Sequence, residues 1–564
     1  MVHTEIYFVS FIKRHIRRMW SHQEHIVALV AFVLSVASLV YFYQRGLLVA
    51  YGDAESHMNI AKRVVSGLTP GFGQLGGNWP PFHHLLMLPF VWNDWMWRTG
   101  VGASVVSMAC YIASAVLIFK LIKHTLRYNR AAWLGALIFM LNPGVLYMQV
   151  TAMSEMPMIL SLIGTVYYFA RWTTYEHPFD IIAAAAFVFM GSLTRYDSWF
   201  LAFSCVAAIL LVGLMKHFTW RKTEGAAIFF SVVSFAGIGL WILWNMLIFK
   251  DPLYFMSSPY SAKSQQQQWL AKGQLPSYHD MASSYSFYTV TVLHNAGYAV
   301  MGVAMLGLII LLYNALKGRY SRTHIVSMLL LATPFPFYVL TLYMGISIIL
   351  IPDLLPKSWE FNLFNVRYGM MMIPFAAVMA AAVAAAYRRV GFALVMAVLV
   401  FQAYSFWQGG AHVVLRDAEY GLSARRPSPV NQFIAKNYDN GFVMFDDFSR
   451  SANPIDLGIP MNQIVYVGNH PIWDDSLKQP ETHVKWLIVR RDENDVLWQK
   501  YRQDTLFSRK YQLVYNWQKT GVYRRWDKNT SAKTIDAETI KMKKLLESDN
   551  AVTQEPKPQA FLTQ

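Results

Sequence analysis

Between residues 25 and 407 the chain returns again and again to apolar runs of bilayer-spanning length, and nothing else constrains its fold as strongly. A spanning helix needs about 20 mostly apolar residues, within a range of about 17 to 25. Eleven runs come close: 25–43, 101–121, 131–148, 156–172, 179–193, 199–215, 225–249, 287–313, 325–351, 368–387 and 390–407. Backbone groups in hydrocarbon must pair within the protein, so such a chain folds as a helical bundle. Run 179–193 is short, and its helix is expected to be partly sunk among its neighbours. Run 325–351 holds Pro334 and Pro336, where a kink is expected. Only 15% of residues are charged and the mean hydropathy is +0.28, whereas soluble domains carry about 25% charged residues. Disorder, a nucleic-acid partner and an ordinary cytosolic enzyme are thereby excluded. Cys110 and Cys205 both lie in apolar runs, which excludes an exported disulfide and a cysteine zinc site.

The net charge is +16, and basic residues favour cytoplasmic loops. With the N-terminus inside, four clusters share that side: Lys120 to Arg130, Lys216 to Lys222, Lys317 to Arg322, and Arg388 with Arg389. Lys13, Arg14, Arg17 and Arg18 precede the first run, which reads as an uncleaved anchor. Eleven crossings put the C-terminus outside; an even count would reverse it. The expected organisation has three parts. Residues 1–411 form the membrane domain, with an interfacial first outer loop at 44–100 that carries Trp79, Trp92, Trp95 and Trp97. Residues 412–526 form a small outer-face α/β domain, with β-like runs at 442–445, 464–467, 486–489 and 511–515 and helical patterns at 430–438 and 494–502. Residues 527–564 are a polar tail with a helical pattern at 540–546. The fold class is therefore an α-helical polytopic membrane protein with a small C-terminal α/β domain.

Charged groups at a membrane edge are costly and mark function by default. Asp53, with Glu55 and His57, follows the first run. Asp53 serves either as a general base or as a cap for a following helix; Asn would cap but not accept a proton. Glu155 opens the fourth run after Ser154, as a ligand for a sugar hydroxyl or metal or as an answer to the helix dipole. Arg195 and Asp197 sit in the turn before the sixth run, and Arg367 precedes the tenth. An arginine fork suits a phosphate, and the bland alternative is snorkelling to headgroups. Other signals are weak. His57, His83 and His84 with Asp53 are candidate ligands for a divalent metal. Gly71 to Gly76 fits G-x-G-x-x-G, but no strand precedes it, so a dinucleotide site is rejected. Asn529-Thr530-Ser531 is a glycosylation sequon of a kind common by chance.

The stretch Gly52-Asp53-Ala54-Glu55-Ser56-His57, followed by Pro70-Gly71-Phe72-Gly73-Gln74, Trp79-Pro80-Pro81 and Trp97-Arg98-Thr99-Gly100, resembles the GT-C glycosyltransferases. The nearest likeness is to glycosyltransferase family 39, the protein O-mannosyltransferases and the aminoarabinose transferase of lipid A. It is good over 51–199 and loose beyond. The resemblance implies a GT-C fold and inverting transfer of a sugar from a polyprenyl-phosphate donor to a hydroxyl on a lipid, glycan or protein, at the outer face of a bacterial or archaeal cell membrane. It implies Asp53 as catalytic base, Glu155 as the acid that begins the fourth span, and Arg195 and Arg367 near the lipid phosphate; Glu55, His57, Glu155 and Asp197 are the candidate sugar-binding groups. No cofactor is required, and a divalent metal is allowed. Unlike the protein mannosyltransferases, the chain has Ala54 between its first-loop acids and lacks their lumenal insertion. The alternatives are a transporter or flippase of lipid-linked sugar, and an oligosaccharyl or polymerase-type transferase.

Overall fold

The computed structural model describes residues 23–259, 261–409, 412–423, 428–447, 451–502, 504, 507–527, 531 and 536. The N-terminal basic cluster, the 540–546 pattern and the sequon residues Asn529 and Thr530 lie outside these described residues. The chain divides into two compact units. The first comprises Met1–Ala54, Gly77–Met87 and Thr99–Tyr420; the second comprises Glu55–Gly76, Leu88–Arg98 and Gly421–Gln564.

The first unit is helical. Seven segments among the described residues are long and apolar enough to cross a membrane, and one of these, Val366–Ser423, contains the last two runs. Run 156–172 lies in one continuous helix, Glu155–Tyr175, and four other runs are interrupted or short. Run 131–148 divides into Asn129–Met140 and Pro143–Met148, because the Asn142 side chain caps the second helix through the Val145 amide and Pro143 opens it. Run 287–313 is broken at Gly297, into Met281–Ala296 and Tyr298–Leu316. Gly297 has φ +85, and a Cβ there would lie 2.1 Å from Gln402, so only glycine suits the break. The expected kink is present. Arg322–Leu329 passes through a 3₁₀ turn, Leu330–Ala332, into Pro334–Tyr343. The short run forms Pro178–Ser192.

The last two runs are a hairpin within Ile373–Gln408. Arg388 has φ 50 and ψ −112, and a Cβ on Gly391 would lie 2.3 Å from the Val383 carbonyl. Eight residues of continuous helix would hold those positions roughly 12 Å apart. Tight turns also join Glu155–Tyr175 to Pro178–Ser192, and Pro178–Ser192 to Asp197–Met215. The chain reverses at each turn. The start of the first helix, the end of the second and the start of the third therefore share one end of the bundle, which carries Glu155, Arg195 and Asp197. At the opposite end Glu176 pairs with Lys216 and Lys222.

The second unit is built on a five-stranded sheet of order β2-β1-β3-β5-β4. The strands are β1 (Phe442–Phe445), β2 (Ile464–Val465), β3 (Val484–Arg490), β4 (Tyr511–Trp517) and β5 (Thr520–Arg525). β1 runs parallel to β2 and β3, while β5 is antiparallel to β3 and β4. Met444, Val465, Leu487, Leu497 and Tyr523 fill its core. Helices Pro429–Asn437 and Val496–Tyr501 accompany it. β5 has no counterpart among the sequence-read runs: Arg524 and Arg525 mask its apolar alternation, and a two-residue turn joins it to β4.

Parts of the first long loop belong to this unit. Arg63 lies over the Tyr466 ring at 3.4 Å and pairs with Asp447 at 2.5 Å. Arg98 donates to the Ile455 and Ile459 carbonyls. The Gly71–Gly76 stretch holds a 3₁₀ turn, Phe72–Leu75, and Gln74 bonds to Tyr466 and to the Gly468 carbonyl. The motif's glycines stand in open surroundings, with positive φ at Gly71 and Gly76, in a turn with no preceding strand.

Candidate active site

The charged residues that the sequence scatters over more than 300 positions meet within the first unit. Asp53 is the second residue of the Gly52–Ser66 helix. Its Oδ2 accepts from Arg367 Nη2 at 2.5 Å, and its side chain is 41% exposed. The same guanidinium donates through Nε to Glu155 Oε1 at 3.1 Å. Glu155 is fully buried and its Oε1 also accepts from Arg195 Nη1 at 3.1 Å. Arg195 then reaches Asp197, Nε to Oδ2 at 3.5 Å. The result is one connected chain, Asp53–Arg367–Glu155–Arg195–Asp197. Of the capping alternatives, the Ser154 cap is not formed; the Ser154 hydroxyl accepts from Arg195 Nη1 at 3.0 Å.

Three tyrosines that sequence reasoning missed hold the two arginines. Tyr338 accepts from Arg195 Nη2 at 3.0 Å and donates to Asp197 Oδ2 at 3.1 Å. Its ring stacks between Tyr288 and Tyr368, each 5.0 Å away. Arg195 and Arg367 lie over the Tyr368 ring, at 5.4 and 5.2 Å. The Tyr288 hydroxyl donates to the Tyr368 carbonyl, which helps fix the 3₁₀ segment Val366–Met372 that carries Arg367. That segment also packs close to Thr291, because a Cβ on Gly369 would lie 2.5 Å from the Thr291 carbonyl. Isolated tyrosines in apolar runs read as core, so no sequence signal marked them.

Burial disfavours the Arg195 charge, but the neighbouring Tyr338, Glu155 and Asp197 hold its pKa well above the ordinary value. Its donors are largely committed to protein groups. Arg367 commits Nε and Nη2 and keeps Nη1 outside these bonds. Tyr51, whose ring lies 4.9 Å from the Arg367 guanidinium, is kept protonated by burial and by the Asp417 charge. The site thus sets four carboxylates, Asp53, Glu155, Asp197 and Asp417, against two guanidiniums. Buried charge of this kind is retained only when it is paired or used.

Other candidates fall elsewhere. Glu55 and His57 follow Asp53 on its helix, are buried, and belong to the second unit. The suggested metal set of His57, His83 and His84 with Asp53 is corrected: among the described residues no three His, Cys, Asp or Glu side chains are grouped to hold a metal. His83 Nε2 lies 2.8 Å from the Ala152 carbonyl, so that nitrogen serves as a donor, and burial lowers the pKa of the ring, which keeps it neutral.

Comparison with known proteins agrees with this architecture. Residues 97–244 match the dolichyl-phosphate-mannose-protein mannosyltransferase family; the earlier part of the first outer loop, with Asp53, lies outside that match. No curated protein matches the chain significantly. Among solved structures, ArnT from Cupriavidus metallidurans bound to undecaprenyl phosphate is 13% identical with a TM-score of 0.51, over 91% of this chain and 99% of that one. The oligosaccharyltransferase of Archaeoglobus fulgidus in its apo form is 11% identical with a TM-score of 0.47, over 84% and 70%. AglB of the same organism, in complex with an inhibitory peptide and a dolichol-phosphate, is 11% identical with a TM-score of 0.46, over 91% and 75%. The chain is thus similar to that mannosyltransferase family over about a quarter of its length, and its fold is like that of ArnT.

Proposed function

We propose that the chain is an inverting glycosyltransferase that moves a sugar from a polyprenyl-phosphate donor to an acceptor hydroxyl on the extracytoplasmic face. The observation that carries the proposal is the Asp53–Arg367–Glu155–Arg195–Asp197 chain at one end of the bundle. Asp53 is the partly exposed carboxylate of the three, with Oδ1 outside the Arg367 pair. It takes the proton of the acceptor hydroxyl as the new bond to the anomeric carbon forms. The bond from that carbon to the phosphate oxygen breaks with its electron pair, and polyprenyl phosphate departs.

Negative charge grows on that phosphate beside two largely buried guanidiniums, where fixed cations act strongly. Arg367 meets it through Nη1, and Arg195 through its charge, with its fork held by Ser154, Glu155 and Tyr338. Asp197 and Glu155 orient the two arginines and offer acceptors to sugar hydroxyls. Orientation follows from charge. Lys216 and Lys222 mark the end of the bundle opposite Glu155, and basic clusters favour the cytoplasm. The N-terminus is then inside, with the site and the C-terminal domain outside.

The test is incubation of the purified protein with a panel of polyprenyl-phosphate sugars, followed by mass spectrometry of lipid phosphate and product. Release of polyprenyl phosphate together with a glycosylated acceptor is the expected result. Movement of intact lipid-linked sugar across vesicles without release identifies a transporter instead.

A further inference from the structure

One buried acid beside the network has no part in the transfer chemistry. Asp417 lies on the helix Val413–Ser423, which follows the last span, and is 5% exposed. Among the described residues no cationic side chain forms an ion pair with it. A buried carboxylate without a cation is costly, so what holds it is informative. The Tyr51 hydroxyl lies 3.4 Å from Asp417 Oδ2 and donates to the Val414 carbonyl at 2.7 Å. Tyr51 stands two residues before Asp53. The Tyr51 ring lies against the Arg367 guanidinium as well. Asp417 therefore reaches both members of the Asp53–Arg367 pair through one residue, Tyr51.

We propose that Asp417 is a positioning residue: by holding Tyr51, whose ring lies against the Arg367 guanidinium, it fixes the register of Asp53 against Arg367. The inference rests on the proposed roles of those two residues. It follows from the tolerance of such chemistry, since reacting groups must be held within about 0.5 Å of their productive geometry. The helix after the last span thus belongs to the catalytic device, although it lies more than 360 residues beyond Asp53 in the chain.

Two variants and two readouts test this in the full-length protein in detergent. Asp417→Ala removes the acceptor; Asp417→Asn keeps a carbonyl oxygen for the same donor. The first readout is phenylglyoxal labelling of Arg367, measured by peptide mass spectrometry against Arg195 as internal reference. The second is kcat and donor KM. In Asp417→Ala the Arg367 to Arg195 labelling ratio should rise severalfold, and kcat should fall about 10- to 100-fold with little change in KM, as small misplacements of reacting groups do. Asp417→Asn should restore both towards wild type. An unchanged labelling ratio in Asp417→Ala overturns the proposal, as does a rise that Asp417→Asn fails to reverse; general unfolding would raise both labels and leave the ratio flat. A shifted ratio in a protein whose wild type uses none of the donors would leave Asp417 as the clamp and remove the glycosyl-transfer reading.

Discussion

Removing the Glu155 carboxylate would strand two buried guanidiniums at once. Its Oε1 accepts from Arg195 Nη1 and Arg367 Nε, each at 3.1 Å, and the residue has no exposed surface. A hydrogen bond to a charged group is worth about 1.5–3 kcal/mol, and breaking a buried ion pair from one side costs about 3–5 kcal/mol. Each arginine keeps one other carboxylate, Asp197 for Arg195 and Asp53 for Arg367. That puts Glu155→Ala at the lower end, about 3 kcal/mol. Gln keeps a carbonyl acceptor in the same place, and neutral hydrogen bonds are about half as strong as charge-assisted ones, so Glu155→Gln should cost about 1.5 kcal/mol. The assay is the rate of heat inactivation in detergent, followed by tryptophan fluorescence. If the loss falls wholly on the unfolding barrier, 3 kcal/mol speeds inactivation roughly 150-fold. Adding Arg195→Gln to Glu155→Gln closes a double-mutant cycle, and the pair should cost less than the sum by about 1 kcal/mol or more. Wild-type inactivation by Glu155→Ala, or strict additivity in the cycle, would refute the reasoning.

Three further outcomes are expected. Arg367 spans Asp53 and Glu155 through different nitrogens, and a lysine point charge serves only one, so Arg367→Lys should slow transfer about 10- to 150-fold in initial-rate assays. Tyr338→Phe keeps the stack but loses the hydroxyl between Arg195 and Asp197; melting should report a loss of about 1–3 kcal/mol, and Tyr338→Leu should lose more. Hydrogen bonds from Lys216 and Lys222 hold the Glu176 carboxylate below its ordinary value of 4.5. Its folded pKa is the lower one, so its stabilisation is present above that ordinary value and is lost as pH falls through the depressed one. Below pH 4.5 the heat stability of Glu176→Gln should therefore fall less steeply than that of wild type.

The membrane bundle was readable because span length and apolarity are properties of single segments. Its interruptions were less so. Pro334 and Pro336 announced a break, since proline removes a donor. The break at Gly297 depends on Gln402, a partner some hundred residues away that no local pattern reveals. Asp53, Glu155, Arg195, Asp197 and Arg367 stood out one by one because charge at a membrane edge is expensive. That they form one connected chain is a tertiary fact. Tyr338 and Asp417 stayed hidden for the converse reason: a tyrosine in an apolar run and an acid in a polar helix each look ordinary until their partners are known. β5 escaped because arginines occupy its last two positions.

The most direct measurement is single-turnover transfer by wild type and Asp53→Asn, with polyprenyl-phosphate binding measured on the same preparations. Asparagine keeps the shape of the side chain and cannot take a proton. Loss of about 10²- to 10⁴-fold in the transfer rate, the range for a positioned base, with lipid-phosphate affinity retained, is the predicted result. Transfer at the wild-type rate by Asp53→Asn would contradict it.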